Sequence, residues 1–118
     1  MQRLSQEEPV TCHDYIAQHA GPLAQAVRHF LAREIPYHQL EDLSWQLLSL
    51  WQALPVIPLD KSPASEQEGV FWHLLHSLHL WDEQQLVSET WLRLQLMACA
   101  NFLVAEGPCP GHCIGSRP

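Results

Sequence analysis

Apolar residues recur along most of this chain at intervals of three and four, the spacing that gathers them on one face of a helix. Thr11 followed three residues later by Asp14 is an acidic variant of the capping box, so a short helix is expected from Cys12 to about Ala20, where Gly21-Pro22 interrupts it. Proline suits a first helical position. A second helix is therefore expected from Pro22, with Leu23, Ala26, Val27, Phe30 and Leu31 as its core stripe up to Ile35-Pro36. The clearest amphipathic segment spans about His38 to Leu54, with Leu40, Leu43, Leu47, Leu48, Leu50, Trp51 and Leu54 on one side and Trp45 at the stripe's edge.

The stretch Pro55-Val56-Ile57-Pro58-Leu59-Asp60-Lys61-Ser62-Pro63 carries three prolines, which forbid a helix and predict an extended crossover between two halves of a bundle. Ser65-Glu66-Gln67-Glu68 then opens a helix whose buried side is Val70, Phe71, Leu74, Leu75, Leu78 and Trp81, and whose other side carries Trp72, His73, His76 and His79. Asp82-Glu83-Gln84-Gln85 repeats the start signal. A long final helix is expected from Glu83 to about Glu106, ended by Gly107-Pro108 and forming a tight antiparallel hairpin with its predecessor. This last helix has two apolar stripes, one of Leu94, Ala98, Phe102 and Ala105, the other of Leu92, Leu96, Cys99 and Leu103. A helix apolar on both sides is either central or shared with a partner. The expected fold is all-α, a compact irregular bundle of four to five helices. It divides into an N-terminal extension at 1–10, one helical domain at 11–106 and a flexible Cys/His-containing tail at 107–118.

Composition narrows the functions this fold can serve. The chain has 118 residues, enough for one domain that buries roughly two thirds of its unfolded surface. Thirteen acids against six bases give a net charge of -7, which opposes the phosphate neutralisation that nucleic-acid binding requires, and the bases are scattered. Nucleic acids and anionic membranes are disfavoured as partners. The first residues have no apolar run of signal-peptide type, so a cytoplasmic location is expected, with the cysteines reduced and Cys99 read as a small core residue.

Three groups of residues bear on chemistry. In the tail, Cys109-Pro110-Gly111-His112-Cys113 puts two thiols and an imidazole around a Pro-Gly turn, and zinc or iron prefers such soft ligands in close spacing. Three ligands are too few for a structural ion, so a fourth is needed from elsewhere, for example Cys12 or His13. The plainer reading is a loose tail with reactive thiols. Secondly, His73, His76 and His79 follow one another at i, i+3 on one helix face, a spacing that can share a metal or sense pH, although the i, i+4 pattern of His-Glu-x-x-His is missing. A solvated polar face is the plainer reading. Thirdly, His13-Asp14 occurs in metal-dependent phosphohydrolases as part of a larger set, but Asp14 already serves as a first-turn acid opposing the helix dipole.

No Gly-x-Ser-x-Gly elbow and no glycine-rich phosphate loop is present, so an enzyme is not the expected reading. The expected function is a protein-interaction module, whether adaptor, dedicated chaperone or regulator, that engages another protein or a second copy of itself. Its expected interaction residues are Trp72, His73, His76, His79, Leu92, Leu96 and Leu103, since aromatic side chains are enriched where binding energy concentrates. The alternative is a metal-linked accessory protein that holds zinc or iron through Cys109, His112 and Cys113.

Overall fold

Thr11 starts the first helix as its sequence suggests: its side-chain oxygen accepts the Asp14 amide at 3.0 Å, satisfying one of the amides that a helix start leaves without a partner. In the computed structural model, which describes residues 11–54 and 63–118, five helices follow one another: α1 (Cys12–Leu31), α2 (Tyr37–Gln52), α3 (Glu66–Leu80), α4 (Glu83–Ser88) and α5 (Thr90–Leu103). No strand occurs among the described residues, and the fold is the all-α bundle expected from periodicity. The N-terminal extension at 1–10 and nearly all of the proline-rich crossover lie outside the described residues.

The expected break at Gly21-Pro22 does not occur; α1 runs through it. Pro22 removes the hydrogen bond to the carbonyl of Gln18, yet Gln18 and Pro22 both face solvent, where water can take that carbonyl. On the opposite side Ile16, Ala20, Leu23, Ala24 and Val27 are all buried, and their packing carries the helix across the interruption. The single helix expected over 83–106 is instead two. At Glu89 the backbone is extended (φ -85, ψ 108), so α4 and α5 are separate helices. α5 stops at Leu103, ahead of Gly107, because Ala105 adopts a left-handed conformation (φ 62) and Glu106 donates its amide to the Asn101 carbonyl at 2.7 Å.

α1 is the central element, packed along α5 and also against α2 and α3. Its Tyr15 lies at the middle of an aromatic cluster, with ring centroids 5.3 Å from Trp51 and 5.8 Å from Phe71, while Trp72 lies 4.6 Å from Trp51 and 4.8 Å from Phe71. Burying the Tyr15 phenol would cost a hydrogen bond, and the Leu47 carbonyl supplies one, accepting from the hydroxyl at 2.6 Å. Burial also pushes the Tyr15 hydroxyl well above its ordinary ionisation range, so it stays a neutral donor.

Candidate functional site

The C-terminal segment, expected to be loose, is built into the fold. Gly115 donates its amide to the Gly69 carbonyl on α3 at 2.8 Å, and His76 donates from Nε2 to the Ser116 carbonyl at 3.0 Å. Both bonds need the tail backbone close to the helix. Glycine at 115 permits this approach, for a Cβ there would stand 2.6 Å from the His73 amide nitrogen. Beyond it, Arg117 closes a two-point ion pair on Glu68, Nη2 to Oε1 at 2.9 Å and Nε to Oε2, and Trp72 donates from Nε1 to Oε2 at 3.0 Å. The Glu68 side chain is fully buried. Burial alone would raise its pKa, but the hydrogen bonds from Arg117 and Trp72 and the charge of Arg117 outweigh it and hold the carboxyl below the ordinary glutamate range.

This anchoring delivers Cys113 to the seam between α3 and α5, where it is fully buried beside Cys99. One ring nitrogen of His73 and the sulfur atoms of Cys99 and Cys113 all lie within 4.8 Å of one another. His73 comes from α3, Cys99 from α5 and Cys113 from the tail. The imidazole is held by its Nε2–H, which donates to Gln95 Oε1 at 2.9 Å, one helical turn before Cys99. Burial raises the pKa of both thiols; the Cys99–Cys113 hydrogen bond raises Cys99 further and eases the ionisation of Cys113. Cys109 is half-buried against the same core but lies outside the cluster.

The tail residues expected to share an ion therefore separate. His112 is exposed, whereas Cys113 turns inward and is buried. Its place in the cluster is taken by His73, and Cys99, read from sequence as core filler, joins it. Cys12 is buried at the start of α1 and His13 is exposed, and neither belongs to the cluster. The sequence signal for Cys99 was weak but present. In an antiparallel pair turning near residue 84, His73 faces Gln95, which places Cys99 one turn further along the same seam; nothing local indicated that the tail would fold back over it.

The histidine row does not act as one surface. His73 is half-buried in the cluster, His76 is exposed and bonded to the tail, and His79 stacks on Trp45 with ring centroids 3.9 Å apart while donating from Nε2 to the Ser44 carbonyl at 3.1 Å. Burial lowers the His79 pKa, with the Ser44 bond opposing and His76 adding to the shift. Trp72, expected beside them on the solvated side, is fully buried. Its indole fills the aromatic cluster and its one donor is consumed by Glu68.

The two stripes of the last helix also change roles. Leu92, Leu96 and Leu103, expected at an interface, are buried within the chain against its own helices, whereas Leu94 is 67% exposed and Trp91 51% exposed. Leu80, at 72%, and Val87, at 36%, add to the outward apolar surface around α4, and Trp81 packs edge-to-face on Trp91 at 5.6 Å. Val87 and Arg93 also line a cleft of about 520 Å³ whose far wall is Phe30, Ile35 and Tyr37 from the α1–α2 corner. A smaller groove of about 260 Å³, lined by Leu94 and Met97, adjoins it at Leu31 and Arg93. Among the described residues no helix is long and apolar enough to cross a membrane.

Comparison of the chain with known protein families, characterised proteins and solved structures gives no match.

Proposed function

We propose that this chain is a small acidic cytoplasmic protein-interaction module that binds a protein partner through the outward face of α4 and α5. The observation that carries the reading is the exposure of Leu80, Val87, Trp91 and Leu94 around one short stretch of the fold. Scattered exposed leucines need no explanation, but here Val87 lines the cleft and Leu94 the groove beside it, and large exposed apolar side chains at such a concavity mark surfaces that bury themselves against something else. Tryptophan is also enriched where binding energy concentrates, and Trp91 is half-exposed and oriented by Trp81. The groove walls carry both signs of charge, Arg33 and Arg93 against Glu34 and Glu83, which suits a polypeptide rather than a polyanion.

The first partner to test is a second copy of the chain, because two-fold self-association is the commonest assembly of small soluble proteins. Sedimentation velocity over a hundredfold concentration range measures it. Self-association that disappears in the Trp91→Glu, Leu94→Glu double variant, with helical content unchanged, supports the reading. A wild-type monomer throughout removes self-association and leaves this face to a different protein. Association that survives the double variant removes the face itself.

A further inference from the structure

We propose that His73, Cys99, Cys109 and Cys113 form a zinc(II) site that ties the C-terminal segment to α3 and α5. Three of the four donors are already gathered, with their ligand atoms within 4.8 Å of one another. Around a tetrahedral zinc, bonds of about 2.3 Å to sulfur and about 2.0 Å to nitrogen place neighbouring ligand atoms roughly 3.5 to 3.8 Å apart. Closing these three donors onto an ion therefore needs movement of about 1 Å, within the reach of side-chain rotation.

Cys109 is the fourth donor for two reasons. It precedes Cys113 by three intervening residues, within the spacing of two to four that zinc knuckles use. The turn between them is formed, with the Cys113 amide donating to the Pro110 carbonyl at 2.8 Å, and Cys109 packs half-buried against the same core, outside the three-residue cluster, so its thiol has to swing in to complete the site. His112, which exposure places on the outer side of that turn, is left out. The supporting bond is present as well: His73 donates Nε2–H to Gln95 Oε1, which fixes the ring and leaves Nδ1 with its lone pair, the arrangement by which metal-binding histidines are held. Three thiolates and one imidazole are a borderline-soft donor set that suits zinc. A buried pair of thiols with a neighbouring imidazole has a plainer role as core filling or as a disulfide precursor, and both of these leave the protein without stoichiometric metal.

The test uses the full chain, purified and kept reduced, with zinc alone as the ligand. Native mass spectrometry is expected to show one zinc per chain, and cobalt(II) in its place should give a thiolate-to-cobalt charge-transfer band of three-thiolate intensity. That spectrum counts the sulfurs in the wild-type protein and does not depend on any variant folding. Cys113→Ser and His73→Ala should each weaken zinc binding at least tenfold, Gln95→Ala about ten- to a hundredfold, and His112→Ala not at all, with helical content followed in each. Absence of zinc from the reduced wild type, a cobalt band of fewer than three thiolates, or binding lost in His112→Ala and kept in His73→Ala would overturn the proposal.

Discussion

Arg117 and Glu68, separated by 49 positions in the chain, meet as a two-point ion pair in which the glutamate side chain is fully buried and the arginine side chain is 23% exposed. Each needs the other. A buried carboxylate without its cation loses far more than a surface ion pair contributes, because the charge cannot return to water. Arg117→Ala should therefore destabilise the fold by about 2 to 4 kcal/mol, the lower end reflecting the partial exposure of the arginine. Urea unfolding of the two proteins measures the difference.

The same pair sets an acid limit. The folded-state pKa of Glu68 lies below its ordinary value of 4.5, so the unfolded chain binds the proton first as pH falls. The stabilisation is complete above pH 4.5 and declines as pH drops through the folded pKa. In Arg117→Ala that acid-side contribution should be largely absent; parallel pH dependences of stability in the two proteins below pH 4.5 would refute this.

Gly115 is required for proximity to α3. A Cβ would meet the His73 nitrogen at 2.6 Å and the Trp72 carbonyl carbon at 2.9 Å, both backbone atoms of a helix that cannot yield cheaply. Gly115→Ala should push the tail away, break the Gly115–Gly69 hydrogen bond and cost about 1 to 3 kcal/mol. Limited proteolysis is expected to cut the variant's C-terminal segment faster than the wild type's while α1 to α5 stay intact.

Leu94 and Leu96 lie two residues apart on α5 with opposite surroundings, one 67% exposed and the other fully buried. A charge at 96 would be buried without a partner, so Leu96→Glu should abolish cooperative unfolding. Leu94→Glu should leave the melting temperature within a few degrees, since surface substitutions usually change stability by less than about 0.5 kcal/mol. Circular dichroism melts distinguish the two, and equal damage from both would place Leu94 in the core.

Ala105 ends α5 with φ 62, a conformation that strains any residue bearing a Cβ. Ala105→Gly relieves the strain but gives the unfolded chain more freedom, leaving a net gain of about 0.5 to 1 kcal/mol. A thermal melt shifted upward by a few degrees is the expected result. A downward shift would show that the alanine methyl group contributes more through contact than the backbone loses through strain.

Much of this protein follows from local sequence. The helix starts at Thr11, Ser65 and Asp82 are legible because an N-cap is a contact between residues three apart, and all three side chains accept the expected amide. The helical class follows in the same way from apolar spacing. What the chain alone could not decide is every choice in which packing outweighs local preference. Pro22 looks like a break and is not one, since the buried side of α1 holds the helix together where solvent can serve the freed carbonyl. Glu89 looks like helix interior and is the extended residue that separates α4 from α5. Of the two apolar stripes on α5, only the packing of its neighbours determines that Leu96 is core and Leu94 is surface. The cluster of His73, Cys99 and Cys113 belongs to the same class: its members lie 26 and 14 positions apart, on two helices and a returning tail, and only the tertiary fold brings them within 4.8 Å. Hydrogen bonds within a few residues are encoded where they form, whereas a site assembled from distant segments depends on the path of all the chain between them.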